Sequence, residues 1–220
     1  MLSSSILSHR GFFSHSCEQN TLLAFKRAID FGFGIETDLR EHNGQLIICH
    51  DLLPINCSPI LFSSLIKLLK FSSHPFKIAL NIKSDGLLDL IKSELLGSGL
   101  NNLDFFVFDM SIPETIKYMN SSIPFYSRIS EYELHPQFLS KARGLWIDNF
   151  TGSFSQTLYA LKYLDLGFFT TIVSSELHLR DHLILWSQLK QSGLYLHPCF
   201  QLCTDYPIHA ANFFGICYDN

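Results

Sequence analysis

Little in this sequence is charged, and nothing in it is strongly basic. Lys, Arg, Asp and Glu make up 16% of the 220 residues and the net charge is −4. No broad positive field therefore exists to draw the chain to nucleic acid or hold it on an anionic membrane. Any phosphate must be held by a local cluster. No apolar run approaches the roughly 18 residues of a membrane-crossing helix, so stable membrane association is not expected. The opening Met1-Leu2-Ser3-Ser4-Ser5 lacks a basic n-region, and no signal peptide is read there. Six cysteines (Cys17, Cys49, Cys57, Cys199, Cys203, Cys217) form no paired framework, and Cys199-x-x-x-Cys203 has no second pair beside it. The thiols are read as reduced and mostly buried, and the chain as cytoplasmic. Gly-x-Gly-x-x-Gly and Gly-x-x-x-x-Gly-Lys loops are missing, which weakens a nucleotide-binding reading.

What is present is regular alternation. Apolar residues reach 47%, with no Pro/Gly/Ser-rich linker. Short apolar runs predict eight strands, near Ser5–Ser8, Gly34–Leu39, Lys77–Ile82, Phe105–Phe108, Phe125–Arg128, Leu145–Asp148, Thr171–Ser174 and Cys199–Cys203. The Asn43-Gly44 turn signal adds a hairpin strand, Gln45–His50. Helical patterns fill the gaps: Thr21–Phe31 with Asn20 as N-cap, then Leu61–Phe71, Leu87–Leu96, Ile112–Met119, Pro136–Ala142, Phe154–Leu164, Leu177–Gln191 and Pro207–Phe214. Eight strand–helix units predict a single α/β domain over residues 1–220, a compact (β/α)8 TIM barrel below the usual size of roughly 250 residues. An open doubly wound sheet is the fallback.

In such a barrel, chemistry gathers at the C-terminal ends of the strands. His9-Arg10, Glu36, Asp38 and Lys83 fall there, followed by Asp109, Arg128, Asp148, Glu176 and Asp205. Residues two apart on a strand share a side, so the carboxylates of Glu36 and Asp38 aim at one point. A hard cation between them, magnesium or calcium, would relieve their repulsion. The bland alternative pairs Asp38 with Arg40 and leaves Glu36 capping a helix. Arg10 suits bidentate phosphate contact. His9 and His50, flanking a phosphorus, could divide proton removal from proton donation. The other histidines, His74 among them, are read as surface or turn residues; His178 stays open because it follows Glu176.

Together, His9-Arg10-Gly11, Glu18-x-Asn20-Thr21 with Ala24-Phe25 and Ala28, Glu36-x-Asp38, Asn43-Gly44 and His50-Asp51 resemble the glycerophosphodiester phosphodiesterase signature, in order and at natural spacing. That block covers the first quarter of the chain. Beyond it, Leu80-Asn81-Ile82-Lys83 and Thr204-Asp205-Tyr206-Pro207 are similar to two later motifs.

The resemblance implies a barrel of the phosphatidylinositol phospholipase C type. It also implies a divalent cation, Mg2+ or Ca2+, bound by Glu36 and Asp38, with His9 and His50 as general base and acid. Arg10 and Lys83 would hold phosphate oxygens, and Arg128 is a further substrate-binding candidate. One departure stands out: Asn81 replaces the family's third carboxylate ligand, with Asp109 or Asp148 as candidates to compensate. The expected function is metal-dependent hydrolysis of a glycerophosphodiester or a related polyol or sugar phosphodiester, a small-molecule substrate. Phospholipase-type cleavage, which needs an exposed apolar surface, and a non-catalytic phosphoester-binding barrel are the alternatives.

Overall fold

A computed structural model describes residues 2–54, 57–71, 75–100 and 103–218. Among the described residues ten strands run in chain order as β1 (Ile6–His9), β2 (Gly34–His42), β3 (Gln45–Ile48), β4 (Ile60–Leu61), β5 (Phe76–Ile82), β6 (Leu103–Phe108), β7 (Tyr126–Ile129), β8 (Gly144–Ile147), β9 (Phe169–Val173) and β10 (Phe200–Thr204). Eight of them pair in parallel as β7-β8-β9-β10-β1-β2-β5-β6. A parallel bridge between Val107 and Phe125 links β6 to the start of β7 and closes the barrel. The Val107 N–H donates to the Pro124 carbonyl at 3.0 Å across that seam. The hairpin forms as β2–β3 through Asn43 and Gly44, both at positive φ, and β4 adds a short edge to it.

Helices α1 (Leu22–Asp30), α2 (Phe62–Leu69), α3 (Leu88–Leu96), α4 (Ile112–Met119), α5 (Gln156–Asp165), α6 (His182–Gln191) and α7 (Pro207–Phe214) cover the outside. Thr21, rather than Asn20, caps α1 by accepting from the Ala24 N–H at 3.3 Å. The helix expected over Pro136–Ala142 does not form; after β7 the chain crosses to β8 as turns and loop. The positive φ at Phe138, 52°, sits in the middle of the span and stops a right-handed helix there. This missing helix helps make the barrel small. The span expected over Leu177–Gln191 splits into a 3-10 turn, Ser175–His178, and α6, divided at Leu179 (φ 58°) and restarted by the Asp181 cap.

Alternation along the strands builds the core and the site from one rule. Inward-facing Leu7, Ala79, Phe106, Phe108, Tyr126, Trp146, Val173 and Cys203 fill the barrel interior. Phe106 stacks on Tyr126 at 3.5 Å between centroids and Phe108 on Trp146 at 3.8 Å. Outward-facing Ile6, Ile35, Ile78 and Leu145 pack under the helices. Stepping two residues on from the interior positions gives His9, Asn81, Arg128, Asp148 and Asp205. The apolar plug thus ends in a polar lid. All six cysteines are free thiols, but Cys203 is the one that is buried; Cys17, Cys57 and Cys217 are exposed, contrary to the expectation of mostly buried thiols.

Candidate active site

At the C-terminal mouth a cleft of about 230 Å³ is lined by His9, Arg10, Glu36, Asp38, His50, Asn81, Lys83, Asp109, Arg128, Asp148 and His178, over Phe108, Trp146 and Phe150. Every residue proposed from sequence for catalysis, substrate or metal lies on it. Two of them break the two-residue alternation. Arg10 follows inward-facing His9, and Asp109 follows inward-facing Phe108. Both adopt a left-handed backbone, φ 55° and 64°, which turns them back over the mouth. Gly11 (φ 85°) completes the first turn, and a Cβ there would meet Ala24 Cβ at 2.8 Å. This accounts for the glycine after His9-Arg10.

Asp38 is the hub. One oxygen lies 3.3 Å from Lys83 Nζ; the other accepts from Asn20 Nδ2 at 2.9 Å and lies 3.2 Å from Arg10 Nε. Asn20 is held in turn by Thr37 Oγ1 donating to its Oδ1 at 2.8 Å. It is thus a buried positioning residue, which its sequence reading as a cap missed. Both cations share that carboxylate and also face Glu36 beside it. Arg40 does not pair with Asp38. It donates instead to the carbonyls of His50 at 2.9 Å and Lys83 at 3.0 Å, tying the two segments together.

Glu36 is buried beside Asp38. Burial first, and the Asp38 charge second, push its carboxyl up to about 7. It accepts the Arg10 backbone N–H at 3.2 Å and lies 4.0 Å from His9 Nε2. His9 Nδ1 meets Asp205 Oδ1 at 2.8 Å. Burial alone would lower the His9 pKa, but the bond to Asp205 and the Glu36 carboxylate reverse it and the net shift is upward. With Nδ1–H donated to Asp205, Nε2 is left as the proton acceptor at the cleft. Behind this pair sits Glu176, buried, accepting from the hydroxyls of Ser174 and Thr204 and from the Asp205 N–H at 3.1 Å. The sequence placed Glu176 at a strand end but not its bonds to Thr204 and Asp205, 28 and 29 residues away. Glu176→Ala strands those donors, and a loss of about 2–3 kcal/mol is expected in urea unfolding. Glu176→Gln should lose less.

Across the mouth, Arg128 donates to Asp109 at 3.1 Å and to Glu133. Asp148 meets His178 Nε2 at 2.7 Å and accepts the Asn149 N–H at 2.8 Å. Asp109 and Asp148 thus have their own partners. Among the described residues no three His, Cys, Asp or Glu side chains converge as a metal cage. Asn81 does stand next to Asp38 in register on β5, and its Oδ1 is buried without a hydrogen-bond partner. His74 lies outside the described residues.

Known structures fit this architecture. A glycerophosphodiester phosphodiesterase from Parabacteroides distasonis aligns over 96% of both chains, with TM-score 0.66 and 16% identity. One from Agrobacterium tumefaciens covers 96% of this chain and 98% of its own, with TM-score 0.63 and 14% identity. The chain has the glycerophosphodiester phosphodiesterase fold. A Ca2+-dependent phosphatidylinositol-specific phospholipase C from Streptomyces antibioticus shares it more distantly, over 97% of this chain and 98% of its own, at TM-score 0.56 and 9% identity. No family model and no curated relative matches the sequence. In this fold the mouth that carries His9 and Glu36 is the end where active sites are built. No helix among the described residues is long and apolar enough to cross a membrane.

Proposed function

We propose that the chain is a phosphoric diester hydrolase acting on a glycerophosphodiester or a related polyol or sugar phosphodiester. The observation that carries this reading is one cleft that brings His9 and His50, two of its three histidines, together with the cations Arg10, Lys83 and Arg128 above a buried carboxylate pair. His9 Nε2, backed by Asp205, takes the proton from the attacking oxygen. His50 returns a proton to the leaving alcohol as its bond to phosphorus breaks. Arg10 and Lys83, sharing Asp38, and Arg128 offer the positive charge that a phosphoryl group develops against. Cytoplasmic residence is part of the proposal, supported by six unpaired thiols.

The donor set fits a hard divalent cation. Glu36 carries excess proton affinity, and Asn81 offers an unused buried oxygen beside Asp38. Glu36, Asp38 and Asn81 would hold Mg2+ or Ca2+, which would supply charge neutralisation on phosphoryl oxygens. An amide carries less charge than a carboxylate, so Asn81→Asp is expected to tighten magnesium or calcium binding in calorimetry; unchanged or weaker binding places Asn81 away from the metal. The reading as a whole is tested by hydrolysis of glycerophosphocholine and of bis(p-nitrophenyl) phosphate, with and without each cation. No turnover of either under any condition returns the chain to a phosphoester-binding role.

A further inference from the structure

The loops around the mouth carry apolar side chains that the catalytic reading does not use. Leu179 is 98% exposed, Leu52 80% and Tyr132 72%, with Phe150 and Tyr206 partly exposed. Leu52 follows His50 by two residues on one side of the cleft. On the other, Tyr132 lies 6.0 Å from Phe150, and Phe150 lies 5.0 Å from His178, the residue before Leu179. Leu52 and Leu179 thus stand within two residues of His50 and His178, which line the cleft, and Tyr132 reaches it through Phe150. Exposed leucines also occur on α5, such as Leu158 and Leu161, but neither lines the cleft at the mouth. Such scattering is ordinary, whereas a patch at a binding mouth marks an interaction surface.

Leu179 is costly twice over. It exposes nearly its whole side chain, and it holds a left-handed backbone, φ 58°, that glycine or asparagine would adopt with less strain. The turn is firmly built: the Leu179 N–H donates to the Glu176 carbonyl at 2.9 Å and the Arg180 N–H to the Ser175 carbonyl at 3.1 Å. A rigid, strained turn presenting a leucine outward at the rim suits insertion into an apolar phase, and tyrosines beside it suit the polar boundary of that phase. The charge on the same loops selects which phase. Glu133 is paired with Arg128, so Asp51, Glu131 and Asp181 stand against Arg180 over residues 49–54, 130–134 and 175–181, with Glu176 buried. Such a lip is repelled by an anionic lipid surface and tolerated by a zwitterionic one.

We propose that the barrel mouth is a docking surface for a zwitterionic lipid interface, on which it rests transiently with Leu52, Tyr132 and Leu179 inserted and the cleft facing the phosphodiester headgroups. The inference rests on the phosphodiesterase reading only for its purpose, since docking is measured separately. The probe is sedimentation with phosphatidylcholine vesicles, and with mixed phosphatidylcholine–phosphatidylserine vesicles, comparing the native chain with the triple variant Leu52→Ser, Tyr132→Ser, Leu179→Asn. Asparagine accepts the backbone at 179, so the variant should fold, with a melting temperature equal to the native one or higher. The native chain is expected to sediment with phosphatidylcholine and the variant's partition to fall about tenfold or more. Glycerophosphocholine hydrolysis should stay within about twofold, because none of the three lines the cleft. Absence of native binding, or equal binding by the variant, overturns the proposal. So does stronger, salt-sensitive binding to the phosphatidylserine vesicles. Docking without hydrolysis of any phosphodiester would sink the catalytic reading and leave the docking surface; hydrolysis without docking does the reverse.

Discussion

Replacing His9 with alanine is expected to lower turnover by roughly 10²–10⁴-fold on every phosphodiester tested, whatever its leaving group. The expectation comes from how the ring is held. Asp205 fixes Nδ1 at 2.8 Å, and the opposite nitrogen looks into the cleft 4.0 Å from Glu36. A ring fixed at one nitrogen and free at the other is preorganised to accept a proton there. The attacking oxygen must be deprotonated for alkyl and aryl esters alike, so the loss should not depend on the leaving group. Asp205→Asn, which leaves the ring but removes the charge that orients its tautomer, should lower kcat with little change in KM. Parallel losses of melting temperature and activity in both variants, with KM rising in step, would instead make His9 a brace for the loop. A fall of only a few-fold for His9→Ala would remove it from the catalytic machinery.

Most of this arrangement follows from periodicities of two and 3.6 in the sequence, because both act locally. Alternation on β1, β2 and β5 delivers His9, Glu36, Asp38, Asn81 and Lys83 to one end, and all five stand on one cleft. What local pattern does not contain is the partner across the barrel. Asp205 reaches His9 from 196 residues away and His178 reaches Asp148 from 30. No spacing rule ties such residues together. The segment after β7 misled for a different reason: Pro136 through Ala142 has helical composition, but the left-handed Phe138 and the turns beside it take the chain straight to β8. Asn20 misled by propensity. Asparagine before a helix is a good cap, yet here its side chain is taken by Thr37 and Asp38, and Thr21 caps in its place. Tertiary hydrogen bonds outbid the local one.

His50→Ala should separate from His9→Ala by substrate. His50 lines the same cleft but is held differently: its ring meets Asp51 at 3.0 Å on the exposed side, while its backbone carbonyl takes two donors from Arg40, at 3.1 and 2.9 Å. The main chain is thus clamped and the ring is in contact with water, a setting suited to a group that must gain and give up a proton each cycle. In-line displacement puts the leaving oxygen opposite the attacking one, so a second proton carrier belongs on the far side of the phosphorus from His9. An alkoxide leaves poorly without a proton, and glycerophosphocholine turnover should fall about 10²-fold or more in His50→Ala. A p-nitrophenolate leaves readily as an anion, and bis(p-nitrophenyl) phosphate turnover should stay within a few-fold of the native rate. Because Arg40 binds the backbone and not the ring, the variant should keep the loop in place and the melting temperature close to native. Equal losses on both substrates would mean that His50 positions phosphate and does not protonate the leaving group. Leaving-group sensitivity in His9→Ala with none in His50→Ala would exchange the two roles while keeping the site.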